Sequence, residues 1–189
     1  MTTRSARRAV VIGGSMSGLF CAAYLRQIGW HVDVFERSSV ELVGRGAGIT
    51  THPELLDALQ SCGAHLDNLG VEVERRITLD RAGHVIGERP LRQILTSWDR
   101  LQRLLRETAG PLDYHLGHDF EHVEQDGKGI TVRFASGRTE RADLPIGGDG
   151  IRSGVRARVA PEVHRSTQAT TSGVVHPTRP ISSPRRCAA

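Results

Sequence analysis

The sequence predicts an α/β fold with a parallel sheet and a β-meander, and three observations carry that reading. The apolar run Ala9-Val10-Val11-Ile12 leads directly into Gly13-Gly14-Ser15-Met16-Ser17-Gly18, a strand feeding a helix through a tight turn. A helical apolar pattern over 19–28 is then followed by a second apolar run, Val32-Asp33-Val34-Phe35-Glu36. Much later, residues 120–134 alternate apolar and polar around glycine turns, and a last apolar stretch at 144–146 meets the glycine cluster Gly147-Gly148-Asp149-Gly150.

Strand, glycine turn, helix, strand and a closing acid is the order of a dinucleotide-binding βαβ unit. Gly13 permits the turn, the middle of the motif lets backbone N–H groups approach a pyrophosphate at the positive helix end, and Gly18 allows close helix–strand packing. Glu36 follows Gly18 by 18 residues, near the spacing at which a carboxylate accepts hydrogen bonds from a ribose diol. Ser15 stands where the second glycine of GxGxxG is expected; it is small enough for a phosphate to approach, and its hydroxyl can donate.

Between the two glycine motifs, residues 42–49 carry Gly44-Arg45-Gly46-Ala47-Gly48, flexible enough to lie along a flat ligand. Thr51-His52-Pro53-Glu54 reads as a capping box opening a helix through Leu55, Leu56 and Leu59. A strand at 71–79, a turn at 80–83 and a short partner at 84–86 form a hairpin, expected to belong to a second, substrate-covering layer. Residues 98–108 are helical with Leu101, Leu104 and Leu105 on one face, and Gly110-Pro111 ends them. Tyr114-His115 is a short strand, and the meander follows from Phe120 with turns at 126–129 and 136–137.

Composition narrows the function classes. A 189-residue chain can bury one good core. The arginines at 4, 7 and 8 precede an apolar stretch, but glycines and serines interrupt it, so a βαβ unit is preferred over a signal peptide and no membrane is expected. Cys21, Cys62 and Cys187 lack metal or disulfide spacing, which makes a reducing cytoplasm the default and Cys21 a small core residue. The net charge of +4 comes from arginines scattered along a chain poor in aromatics, so no nucleic acid is expected as partner. His115, His118 and His122 suggest a metal, yet positions 115 and 118 of a strand face opposite ways and cannot converge without a turn; no metal is assigned.

The stretch Gly147-Gly148-Asp149-Gly150-Ile151-Arg152-Ser153-Gly154-Val155-Arg156, taken with the first motif, resembles the FAD-dependent monooxygenases of the single-component aromatic hydroxylase type, in which GxGxxG is followed by a DG motif of form GADGxxSxVR. The phrases 11–19, Gly46-Ala47-Gly48-Ile49 with Pro53-Glu54-Leu55, and Thr96-Ser97-Trp98-Asp99 are most similar to the 2,6-dihydroxypyridine hydroxylase branch. The resemblance spans residues 8–163 and implies a Rossmann-like FAD-binding domain with an incomplete substrate domain. By it, Gly13, Gly14, Ser15, Met16, Ser17 and Gly18 meet the FAD pyrophosphate, Glu36 the adenosine ribose and Arg37 the adenine side. Gly46 approaches the flavin end, Trp98 stands where many members carry a flavin-contacting arginine, and Asp149 with Gly150 helps bind FAD beside the NAD(P)H path.

The same resemblance implies that NAD(P)H is the electron donor, that the substrate is a small aromatic in the full-length form, and that most of the chemistry is the cofactor's, leaving no acid/base pair to be read. Catalytic residues are therefore unassigned. Two departures touch the second motif: Pro145 removes a ladder donor from the preceding strand, and Gly148 replaces alanine. A different FAD-dependent oxidoreductase of the same superfamily is the alternative enzyme reading, and a non-catalytic remnant prone to self-association or aggregation is the alternative outside enzymes.

Residues 1–163 are thus expected to form the FAD/NAD(P)-binding domain with partial substrate-domain elements, and 164–189 a disordered tail. Codon reasoning sharpens that expectation. Family members continue with a phrase of form YAGYxxWRG, and back-translating 167–175 one base out of frame permits it. Residues with G or C as second codon base number 20 of 25 over 165–189, against 10 of 25 over 115–139, as a GC-rich third position misread as a second would produce. The reading frame is expected to shift near His164.

Overall fold

The computed structural model describes residues 7–42, 44, 48–127 and 129–163. In chain order, strand β1 (Arg8–Ile12) enters helix α1 (Met16–Gln27) and returns as β2 (His31–Glu36). Strand β3 (Gly48–Thr50), helix α2 (Pro53–Ser61) and the long hairpin of β4 (Val71–Leu79) and β5 (Val85–Ser97) lead into α3 (Trp98–Thr108). Then come β6 (Asp113–Leu116), the meander β7 (Phe120–Asp126), β8 (Gly129–Phe134) and β9 (Thr139–Ala142), the strand β10 (Leu144–Gly147), and the short helix α4 (Gly154–Val159).

A parallel sheet of order β10-β1-β2-β6 forms the central layer. Its middle strands are apolar on both faces because both faces are covered. Ala9, Val11, Val32 and Val34 meet Ala22 of α1, whereas Val10, Ile12 and Phe35 meet Val132, Phe134 and Ala142 of the meander. Behind α1, a second apolar cluster joins Leu19 to Leu59 of α2 and to Leu101 and Leu105 of α3. Each of these four leucines is wholly buried, worth about 1.5–3 kcal/mol apiece relative to exposure. The result is helices, parallel sheet and meander in three layers, with β3-β5-β4 as a separate antiparallel sheet.

Four expectations are revised. The capping box is shifted: Pro53 has no N–H to give and starts the helix, so His52 becomes the cap, its Nδ1 3.3 Å from the Leu55 N–H. Thr51 is instead buried, its hydroxyl accepting from the Ile94 N–H at 3.0 Å. The partner of β4 is far longer than 84–86, because β5 runs to Ser97 through Pro90. A proline is tolerated there since, among the described residues, β3 pairs only with residues 95–97 of β5 and no strand pairs with Pro90 on that side. Third, the flexible segment 42–49 ends in a strand, β3; Gly46 lies outside the described residues.

Fourth, the turn without which His115 and His118 cannot converge is present. Gly117 adopts φ 76° just after β6, and the two rings come to 6.0 Å, packed against Phe35 and Phe134 as an aromatic cluster. His118 Nδ1 is held by the Leu116 carbonyl at 2.7 Å and His115 Nδ1 by the Arg138 guanidinium at 3.2 Å, an arrangement for packing rather than ligation. Cys62 is buried and Cys21 only half so; burial pushes both thiols above the usual range, away from nucleophilic character. Pro145 lies in β10, at the edge of the described sheet, where a missing donor is least costly. The tail from residue 164, with its proposed frame shift and Cys187, lies outside the described residues.

Candidate functional site

At the C-terminal ends of β1, β2 and β10 the chain leaves a cavity of about 840 Å³. Crevices at that end of a parallel sheet are where open α/β folds take ligands. Gly13, Ser15, Glu36, Arg37, Trp98, Asp149 and Gly150 all line it, although they are spread over more than 130 residues of sequence. The topology explains the meeting: β1 lies between β2 and β10, so the loops that follow all three strands open side by side.

The head of α1 forms the floor. Gly13 has φ 106° and donates its N–H to the Phe35 carbonyl at 2.8 Å, a conformation suited to glycine. The first N–H groups of any helix lack internal partners. In α2, α3 and α4 the cap side chains of His52, Ser97 and Ser153 accept from them. In α1 the Ser15 hydroxyl makes no such bond and the first turn has no acidic residue. Among the described residues no side chain caps the head of α1, and an anionic diphosphate fits its amides.

Glu36, at the end of β2, is 6% exposed and splits its carboxylate: Oε2 accepts from the Gly14 N–H at 2.8 Å and Oε1 from the Ser38 N–H at 2.9 Å. Each oxygen keeps a lone pair, so the group can also accept from a diol in the cavity. Arg37 follows it on the rim, and Trp98, first residue of α3, closes the opposite wall.

The second motif is ordered by its own acid. Asp149 Oδ1 accepts from the Ser153 hydroxyl at 2.6 Å, and Oδ2 from the N–H groups of Gly154 at 2.7 Å and Val155 at 3.2 Å. Asp149 thus holds the loop against the start of α4 while still facing the cavity. Glycine fits at 148, since an added Cβ would stand 3.1 Å from the Gly18 backbone.

Not every residue of the first motif reaches the cavity. Met16 packs into the helical core, Gly18 is buried under Val11, and the Ser17 hydroxyl bonds the Gly148 carbonyl at 3.3 Å. Gly14 is buried as well, between Glu36 and Tyr114. Sequence reading missed Tyr114, His118 and Asp119 as parts of this region. None of the three carried a local signal: Tyr114 is the second residue of β6, and the pairing of that strand with β2 is what brings it here. At the other end of the sheet, His31, Asp33 and Asp113 bring ligand atoms within 4.8 Å of one another. There Arg8 already holds Asp33 Oδ2 at 2.8 Å, which makes the group an ion-pair cluster.

Comparison with known proteins agrees with this geometry. A family model described as "FAD binding domain" matches residues 7–186, running past residue 163 where the sequence resemblance was placed to end. A 2,6-dihydroxypyridine 3-monooxygenase of Paenarthrobacter nicotinovorans is 38% identical over 153 residues, 80% of this chain and 38% of that protein. The structure of 2,6-dihydroxypyridine-3-hydroxylase from Arthrobacter nicotinovorans superposes with a TM-score of 0.73 at 36% identity, over 84% of this chain and 41% of that one. Klebsiella pneumoniae HpxO, solved with FAD and uric acid, does so with a TM-score of 0.71 at 27% identity, over 80% and 41%. The chain spans about two fifths of the length of these relatives. With the uncapped helix head, the buried acid at the end of β2 and the second glycine loop gathered on one cavity, the chain belongs to the FAD binding domain family.

Proposed function

We propose that the chain is the FAD-binding portion of an NAD(P)H-dependent flavoprotein monooxygenase that hydroxylates an aromatic or heteroaromatic ring. The observation that carries this reading is the single cavity joining both glycine motifs with Glu36 and Arg37. The relatives named as acting on dihydroxypyridine and the structure holding uric acid support a small heteroaromatic substrate for the full-length protein.

Bound FAD would supply electron transfer from NAD(P)H and the handling of oxygen. The chain's own residues supply binding and orientation. The α1 amides hold the diphosphate, Glu36 accepts from the ribose, and Arg37 flanks the adenine. Trp98 shields the cavity from water on the α3 side. Asp149 ties the second loop to the start of α4 on the wall of the cavity.

The free thiols of Cys21 and Cys62 support a reducing, cytoplasmic setting, and no helix among the described residues is long and apolar enough to cross a membrane. The exposed Val71, Ile77, Leu79, Val85 and Ile86 on β4 and β5 support self-association of the isolated chain. The direct test is to purify the chain and titrate FAD while following its visible absorption and fluorescence. A yellow protein with stoichiometric FAD is expected; a folded protein that leaves FAD fluorescence unquenched overturns the reading.

A further inference from the structure

Gly14 is gripped from both sides. Its N–H goes to Glu36 Oε2 at 2.8 Å, and its carbonyl accepts from the Tyr114 hydroxyl at 3.0 Å. Neither backbone group is left for a ligand. In a trans peptide the C=O of one residue and the N–H of the next point in opposite directions. Fixing the Gly14 carbonyl toward Tyr114 therefore turns the Ser15 N–H away from Tyr114, and Ser15 is a wall of the cavity.

The tyrosine is built to stay put and to stay protonated. It sits in β6, paired with Val34 of β2, and its ring lies 4.3 Å from the Arg106 guanidinium, itself tied to Glu41 at 2.7 Å. Burial, helped by the Glu36 charge, pushes its hydroxyl up to about 12, so it remains a donor throughout the physiological range. The same side chain dictates its partner. A Cβ on residue 14 would lie 1.9 Å from the Tyr114 hydroxyl oxygen and 2.4 Å from Cζ, although the Gly14 backbone is not in the left-handed region.

We propose that Tyr114 is the positioning residue of the diphosphate loop: its hydroxyl anchors the Gly14 carbonyl, presents the Ser15 N–H to the diphosphate, and makes glycine obligatory at position 14. This rests on the flavin-site reading above. It adds a residue outside both glycine motifs and gives the second glycine of the Gly13-Gly14 pair a steric cause.

The test is calorimetric titration of ADP and of adenosine into the wild-type chain and Tyr114→Phe, with thermal unfolding of each protein alone. Tyr114→Phe keeps the ring but removes the bond to the buried Gly14 carbonyl, so the midpoint of unfolding is expected to fall by a few degrees, while ADP binds about three- to tenfold more weakly and adenosine binds as before. Equal losses for ADP and adenosine, or none for ADP, overturn the proposal. A wild-type chain that binds neither ligand overturns the flavin-site reading beneath it. Independently of ligand, Gly14→Ala should lower the unfolding midpoint in the wild-type background and much less in Tyr114→Ala, where the clashing atoms are gone. Additive effects refute the steric pairing.

Discussion

Replacing Glu36 by glutamine separates the backbone bonds that the structure gives this carboxylate from the ribose contact proposed for it. In the folded chain one oxygen takes the Gly14 N–H at 2.8 Å and the other the Ser38 N–H at 2.9 Å, with the residue 6% exposed. Glutamine keeps one acceptor. Its amide must then turn an NH₂ toward the other backbone N–H, leaving a buried donor facing a donor, at a cost of about 1–3 kcal/mol. In urea, at a slope of about 2 kcal/mol/M, that loss moves the unfolding midpoint of the protein alone by roughly 0.5–1.5 M. FAD binding loses more, because charge-assisted bonds to the ribose hydroxyls weaken by a further 1.5–3 kcal/mol or about ten- to hundredfold in affinity. Urea unfolding followed by circular dichroism and FAD titration by fluorescence measure the two parts. An unchanged midpoint would falsify the buried-acceptor argument, and an affinity loss no larger than the stability loss would remove the ribose from Glu36's duties.

Two further outcomes follow from the ion pairs and the second loop. Arg8 joins the central sheet to the meander through Asp33 at 2.8 Å and Glu140 at 2.7 Å, both largely buried, so Arg8→Met should cost about 2–3 kcal/mol, below the roughly 3–5 of a fully buried pair since Arg8 is itself 32% exposed. Burial raises the Glu140 carboxyl, but bonds and charges from Arg8 and Arg138 outweigh it and hold the group below its ordinary 4.5. A depressed acid contributes stability above its unfolded pKa and loses it as pH falls through the folded one. The wild-type advantage over Arg8→Met should therefore be full above about pH 5 and shrink in acid, as denaturation at several pH values will show. For Asp149→Ala, loss of the acceptor for Ser153, Gly154 and Val155 should cost about 1–2 kcal/mol and speed amide exchange at the start of α4.

The middle strands β1 and β2 of the central sheet were legible in the sequence because they are buried and read as largely apolar runs around a glycine turn. β4 and β5 were harder. Most of their residues are exposed, so no alternation marks an inner face, and the Glu88-Arg89-Pro90 stretch looks like a loop although it is paired with β4. The capping shift at His52 shows the reverse failure, a correct motif overruled by one residue, since a proline one place later moved the start of the helix. Of the site, the residues named by a motif, Gly13, Ser15, Glu36 and Asp149, do face one cavity. Tyr114 and His118 could not be read, because what brings them there is the parallel pairing of β6 with β2, a contact across some eighty residues that leaves no local trace.

That limitation also explains why the two glycine motifs mean more together than apart. Each alone is a strand-to-helix turn of a common kind. In the fold they are packed backbone against backbone: a side chain at Gly13 would lie 2.3 Å from the Gly148 carbonyl, the Gly148 N–H donates to the Ile12 carbonyl at 2.7 Å, and the Ser17 hydroxyl reaches that same Gly148 carbonyl. Such contact exists only if β10 runs parallel beside β1 in the register Ile12↔Gly147. A chain carrying either motif in another fold has no reason to keep the other glycine-rich. The pair is therefore a record of one specific strand neighbourhood, and that neighbourhood sets the two loops around a single cavity.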